Sequence, residues 1–232
     1  MSSPAWLGIG AQRSGTTWFT DLLVQHPQVG LGTNGKKEQQ LLHKVADGRR
    51  PAGEYLELFP SDLRRGDWTP QTMRHPSAPG CVAGLLPDVP VLVLLRDPVE
   101  RYRSAMRLRE GRKSPWPYPV PMGMQTWTGF YADQLDMWAA AIGRARLHVM
   151  VYEQVREDPQ AAVDGVWRLL GLDPVPLADV ARESSSSSVA DWEWTPGLRE
   201  SLQLLYRPQA ERLGRDWGLD VSSWRSLRPD GS

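Results

Sequence analysis

Residues 6–26 read WLGIGAQRSGTTWFTDLLVQH. Trp6 to Gly10 has the length and apolar content of a short buried strand, and Thr16 to His26 places Phe19, Leu22 and Leu23 along one side of a helix. Between the two, Gly10 to Thr17 supplies glycines for a tight turn, hydroxyl groups, and the cation Arg13 at a helix start. Backbone N–H groups and the positive helix end then converge on one point, which makes the turn a cradle for a phosphate-like anion.

Outward from this turn, apolar bursts alternate with helical spacing, the pattern of an α/β fold with three layers: a mostly parallel central sheet flanked by helices. Val91 to Leu95 is the clearest buried strand, Leu147 to Tyr152 a second, and helices are predicted over 79–86, 99–109, 126–143, 159–170 and 196–213. Gly53 to Phe59 reads as a short helix stopped by Pro60, and Gly66 to Met73 as an extended piece. SPWPYPVPMG at 114–123 is too rich in proline for regular structure and reads as a loop. The serine run 184–188 reads as part of a mobile lid over 182–195.

At 232 residues and 41% hydrophobic, the chain is expected to form one domain, 1–232. Lys+Arg and Asp+Glu balance at 27 each, so no global field favours nucleic acid or an anionic membrane, and an anion site has to be built locally. No apolar run has the length of a membrane span, and the N-terminus lacks the basic and apolar regions of a signal peptide. The lone cysteine, Cys81, rules out an internal disulfide framework, which points to the reducing cytoplasm.

The turn differs from the P-loop of ATPases, G-x-x-x-x-G-K-S/T. Thr16 stands in the lysine slot, and the cation comes earlier, as Arg13. The strand 91–95 ends in Arg96 rather than a metal-binding carboxylate, so the chain is poorly equipped for a nucleoside triphosphate with its metal. Arg96 offers a planar fork for a second phosphate, with the Ser104 hydroxyl following on the next helix. Ligands of parallel sheets bind outside the carboxyl ends of strands, so both grips are expected to face one crevice and to suit a nucleotide with phosphates on both sides of its ribose.

Four stretches in this order resemble the sulfotransferases that use 3′-phosphoadenosine 5′-phosphosulfate. QRSGTTW at 12–18 resembles their 5′-phosphosulfate loop, K/R-x-G-T-T, and LLRDPVERYRSAM at 94–106 resembles their 3′-phosphate motif, R-D/N-P-x-x-R-x-x-S. KKEQQLLHKV followed by GEYLELFP is similar to the K-E-x-x-F-F segment of the heparan sulfate sulfotransferase branch, and VYEQVREDP followed by LLGL to the family's Y-E-x-L tail. The resemblance implies a P-loop-like sulfotransferase fold. It further implies that Arg13, Ser14, Gly15, Thr16, Thr17, Arg96 and Ser104 hold the nucleotide and that Trp18 either stacks on its adenine or packs on the core.

By the same resemblance Glu38 is the base, Arg13 the cation on the transferring group, and Lys37 a contact to the sulfonate. The product is adenosine 3′,5′-bisphosphate, and no metal is required. The family often has histidine where Gln40 stands. A loop over 114–125 with Trp116, Tyr118, Met122 and Met124 is assigned to the acceptor, either a carbohydrate or a small natural product. Two other classes remain open on the residues: a P-loop kinase, and a nucleotide-binding module without catalysis.

Overall fold

The computed structural model describes residues 2–110, 119–178 and 192–228. Five strands form one parallel sheet: β1 (Trp6–Gly10), β2 (Val29–Leu31), β3 (Arg64–Trp68), β4 (Val91–Leu95) and β5 (Leu147–Val151), in the order β2-β3-β1-β4-β5. β1 lies between β3 and β4, pairing Leu7 with Asp67 on one side and with Val91 on the other. β4 and β5 run in register from Val91 opposite Leu147 to Leu95 opposite Val151. The chain leaves β1 for one edge and later returns to its other flank, so the strand order switches direction at β1. A crevice forms at the carboxyl ends of strands around such a switch.

β1 and β4 are buried throughout, because helices cover both faces of the sheet and no side chain of either strand faces water. Leu7, Ile9, Val91, Val93 and Leu95 point to one side, where they pack against Val82 of α4 (Ala78–Leu85), Leu135 and Trp138 of α7 (Tyr131–Ile142) and Leu213 of α10 (Leu198–Trp217). Trp6, Trp68, Leu92 and Leu94 point to the other, against Phe19 and Leu22 of α1 (Thr16–Leu23) and Val163 and Trp167 of α9 (Pro159–Leu169). The alternation of successive residues between two apolar layers is what the period of a strand demands. A buried indole N–H needs an acceptor. Trp6 donates to the Arg64 carbonyl (3.0 Å), Trp68 to Gly10 (3.2 Å), Trp138 to Met73 (2.8 Å) and Trp167 to Leu23 (3.0 Å).

Short helices α2 (Leu42–Ala46) and α3 (Ala52–Leu56) fill the connection from β2 to β3; α5 (Pro98–Glu110) follows β4, and α8 (Tyr152–Glu157) follows β5. Three sequence expectations are corrected. Residues 119–127, assigned to a proline-rich loop, form helix α6 (Pro119–Trp127). Proline is tolerated there because the N–H groups of a first helical turn have no intrahelical partner to lose. The helix predicted over 126–143 divides at Thr128-Gly129-Phe130 into α6 and α7, and the piece predicted as extended over 66–73 is β3 followed by a 3₁₀ turn, Pro70–Arg74. Among the described residues no helix is long and apolar enough to cross a membrane.

Candidate functional site

The turn after β1 begins α1 with Gly15 in the left-handed region at φ 82°, and Arg13 is also left-handed at φ 69°. A Cβ on Gly15 would lie 2.4 Å from the Tyr152 ring, so only glycine lets the turn sit against α8. Ser14 is fully buried, and its Oγ has no hydrogen-bond partner among the described residues; the Tyr131 hydroxyl nearby donates to the Arg96 carbonyl (3.0 Å). A buried hydroxyl left without a partner at a helix start is a donor waiting for an anion. These residues therefore fit a phosphate or sulfate group.

The cation missing from the loop's own lysine slot arrives from the segment after β2. Lys37 Nζ donates to Thr16 Oγ1 (3.0 Å) and Thr17 Oγ1 (3.2 Å), and pairs with Glu38 Oε1 (3.4 Å). Burial lowers the Lys37 pKa, opposed by the nearby carboxylates of Glu38, Asp21 and Asp67. Glu38 is half-buried at 31% side-chain exposure and accepts from Gln40 Nε2 (3.4 Å).

The Lys37–Gln40 segment is fixed from below by β3. The Trp68 N–H donates to the Lys37 carbonyl (3.0 Å), and the Gln39 N–H to Asp67 Oδ1 (3.1 Å). Thr69 Oγ1 bridges the Gln40 N–H (3.2 Å) and Asp67 Oδ1 (2.8 Å). Asp67 is fully buried, also accepts from the Tyr55 hydroxyl (3.3 Å), and is pushed by burial up to about 6. The sequence does not single out Asp67 or Tyr55; β3 reads RRGDW and is buried only from Gly66 to Trp68, so no apolar pattern marks Asp67 as buried.

At the end of β4 the Arg96 guanidinium lies over the Tyr152 ring, 4.9 Å from its centre, the same ring that abuts Gly15 and meets Trp18 edge-on at 6.1 Å. Trp18 is thus half-buried between core and crevice. Ser104, on α5, accepts from Arg13 Nε (3.1 Å). The turn thus meets Ser104 through Arg13, Lys37 through Thr16 and Thr17, and the Tyr152 ring that also carries Arg96 through Gly15.

The backbone beside Arg96 is clamped by the C-terminal segment. Asp97 Oδ1 caps α5 through the Val99 N–H (3.0 Å) and bonds the Ser226 hydroxyl, and its Oδ2 accepts from the Ser226 N–H (3.1 Å). Glu153 accepts from the Asp97 N–H (3.1 Å) and the Trp224 indole (2.9 Å).

The residues assigned to the acceptor behave differently. Trp116 and Tyr118 lie outside the described residues, as do 182–191 of the lid assignment. Met122 and Met124 sit on α6 rather than on a loop. Met122 packs against the cluster of Tyr102, Trp192 and Tyr206, whereas Met124 is exposed. An open cleft that the sequence did not indicate lies beside Gln40 and is lined by His43, Gln71, Arg74, His75 and Pro76.

Residues 51–176 match the profile of the sulfotransferase family. The chain is 24% identical over 196 residues to the bifunctional heparan sulfate N-deacetylase/N-sulfotransferase 4 of Mus musculus, covering 74% of this chain and 22% of that protein. The crystal structure of a sulfotransferase from Alicyclobacillus acidocaldarius superposes with a TM-score of 0.78 at 22% identity, over 97% of this chain and 100% of that one. The mouse sulfotransferase SULT7A1, solved in complex with PAP, gives a TM-score of 0.54 at 15% identity, over 97% of this chain and 87% of the other. At these identities the structural likenesses show a shared fold.

Proposed function

The chain belongs to the sulfotransferase family, and from that premise we propose that it moves a sulfuryl group from 3′-phosphoadenosine 5′-phosphosulfate to a hydroxyl or amine of a saccharide or small-molecule acceptor. The observation that carries this reading is the Arg13–Ser104 hydrogen bond of 3.1 Å, which joins the anion cradle to the helix that follows Arg96. A nucleotide phosphorylated on both sides of its ribose needs two such grips at once. The PAP held by a structural neighbour of the same fold supports the same choice of nucleotide.

The donor supplies an activated sulfur–oxygen bond; the rest falls to this chain's side chains. Ser14 to Thr17 hold the 5′ end through backbone N–H and hydroxyl groups, and Arg96 with Ser104 holds the 3′-phosphate, leaving Trp18 beside the adenine. Glu38 takes the acceptor's proton as the new bond to sulfur forms and the bond from sulfur to the 5′-phosphate oxygen breaks. Lys37 and Arg13 oppose the charge that collects on that oxygen, the kind of electrostatic stabilisation that dominates group transfers of this type. Arg13 contributes charge only, since a guanidinium does not give up its proton near neutral pH.

The test is to incubate the protein with isotopically labelled donor and a panel of sugars, phenols, aliphatic alcohols and amines, and to read products by mass. Transfer to at least one member with formation of adenosine 3′,5′-bisphosphate is the expected result. Turnover of ATP without sulfuryl transfer would reject the reading in favour of a kinase.

A further inference from the structure

The cleft beside Gln40 has a volume of about 350 Å³ and is lined by Gln40, His43, Gln71, Arg74, His75 and Pro76, polar side chains that present their carbon atoms as well as their polar ends. It adjoins the candidate base directly, because Gln40, whose Nε2 reaches Glu38 Oε2 at 3.4 Å, forms part of its wall. Two polar atoms of the lining residues, Gln71 Oε1 and His75 Nδ1, are buried with no hydrogen-bond partner.

One carboxylate, Asp47, stands against His75 of the lining (3.5 Å), but none pairs with Arg74 among the described residues. Arg74 is half-buried, and its one hydrogen bond among the described residues runs from Nη1 to the neutral Thr128 Oγ1 (3.2 Å), with no described carboxylate paired to it. A second guanidinium, that of the fully buried Arg101, faces it electrostatically and is itself committed to the Gln125 side chain (2.9 Å) and backbone carbonyl. Burial and Arg101 together lower the Arg74 pKa. A half-buried cation beside another cation is costly unless an anion completes it. A guanidinium with free N–H groups matches a carboxylate by geometry as well as by charge.

We propose that this cleft is the acceptor subsite and that Arg74 selects an acceptor bearing a carboxylate. The inference rests on the sulfotransferase reading for the cleft's role beside Glu38, while binding of the charged group depends on the cleft alone. It replaces the apolar acceptor surface expected around residues 114–125 with a polar one formed by 40–43 and 71–76. An oxyanion contact of this kind is worth about a tenfold change in affinity or more.

The test is calorimetric titration of p-nitrophenyl β-D-glucuronide and, separately, p-nitrophenyl β-D-glucoside into the protein with and without adenosine 3′,5′-bisphosphate. The glucuronide is expected to bind at least about tenfold more tightly than the glucoside. Arg74→Gln should remove that preference and Arg74→Lys, which keeps the charge, should retain most of it, with thermal unfolding confirming that both variants fold. Equal affinities, no binding of the glucuronide, or an unchanged preference in Arg74→Gln would overturn the proposal. Failure of the bisphosphate to bind would count against the sulfotransferase reading instead, and the nucleotide-free titration would still decide whether Arg74 recognises a carboxylate.

Discussion

Arg13 Nε donates to Ser104 Oγ over 3.1 Å, joining the turn after β1 to the helix after β4 across 91 positions of sequence. If both ends of one nucleotide are held here, the two side chains act together rather than separately. Arg13→Ala and Ser104→Ala are each expected to weaken binding of adenosine 3′,5′-bisphosphate, and a double-mutant cycle should return a coupling energy of about 0.5–3 kcal/mol. Strictly additive losses would mean that the two residues serve different ligands.

Glu38 and Lys37 are adjacent in sequence but differ in what they touch. Among the described residues the Glu38 carboxylate is hydrogen-bonded by Lys37 and Gln40, whereas Lys37 also holds the hydroxyls of Thr16 and Thr17. Glu38→Gln should therefore lower the transfer rate by about 10²–10⁴-fold while leaving bisphosphate affinity within about twofold. Lys37→Ala should reduce both rate and affinity. Steady-state kinetics alongside calorimetry separates the two patterns, and an unchanged rate in Glu38→Gln would remove it from the chemistry.

Asp67 gives the fold a pH dependence. Its carboxyl is raised from 3.8 to about 6 by burial, so the folded state holds the proton more tightly than the unfolded chain does. The group thus favours folding most below about pH 4, and that contribution declines as pH rises through about 6, by at most about 3 kcal/mol. Urea unfolding measured across this window should show the decline, and Asp67→Asn should flatten it. A slope that survives the substitution would place its origin elsewhere.

Two glycines with nearly the same backbone angle separate strain from contact. Gly15, the N-cap of α1, has φ 82° and ψ 14° and the Tyr152 ring at 2.4 Å from a built Cβ; Gly197, the N-cap of α10, has φ 75° and ψ −9° with nothing within 4 Å. Gly197→Ala should cost about 1–3 kcal/mol of stability, the strain alone. Gly15→Ala should cost more, and, because Tyr152 also carries Arg96 on its face, it should weaken bisphosphate binding as well. Equal effects on stability with intact binding would contradict the role given to that ring.

The parts of the fold legible in the sequence are those with one dominant physical cause. β1 and β4 are apolar runs because both faces are covered, and α1 and α9 show a single buried stripe. The break between α6 and α7 was hidden because Trp127 and Tyr131 continue an apolar spacing across Thr128-Gly129-Phe130, and α6 itself was masked by prolines that a first turn accepts. At the site, the turn and the Arg96–Ser104 spacing are local patterns and could be read. The placement of Lys37 on Thr16 and Thr17, the support of Gln39 by Asp67, and the approach of Arg74 to Arg101 arise only when β2, β3 and α5 are brought together, so no local pattern announced them.

The account stands most directly on where adenosine 3′,5′-bisphosphate binds, which a crystal soaked with it would show. The predicted result is one molecule with its 5′-phosphate on Ser14 to Thr17 and Lys37 and its 3′-phosphate on Arg96 and Ser104. A molecule that engages only one of the two groups, with the other facing a separate cavity, would contradict it.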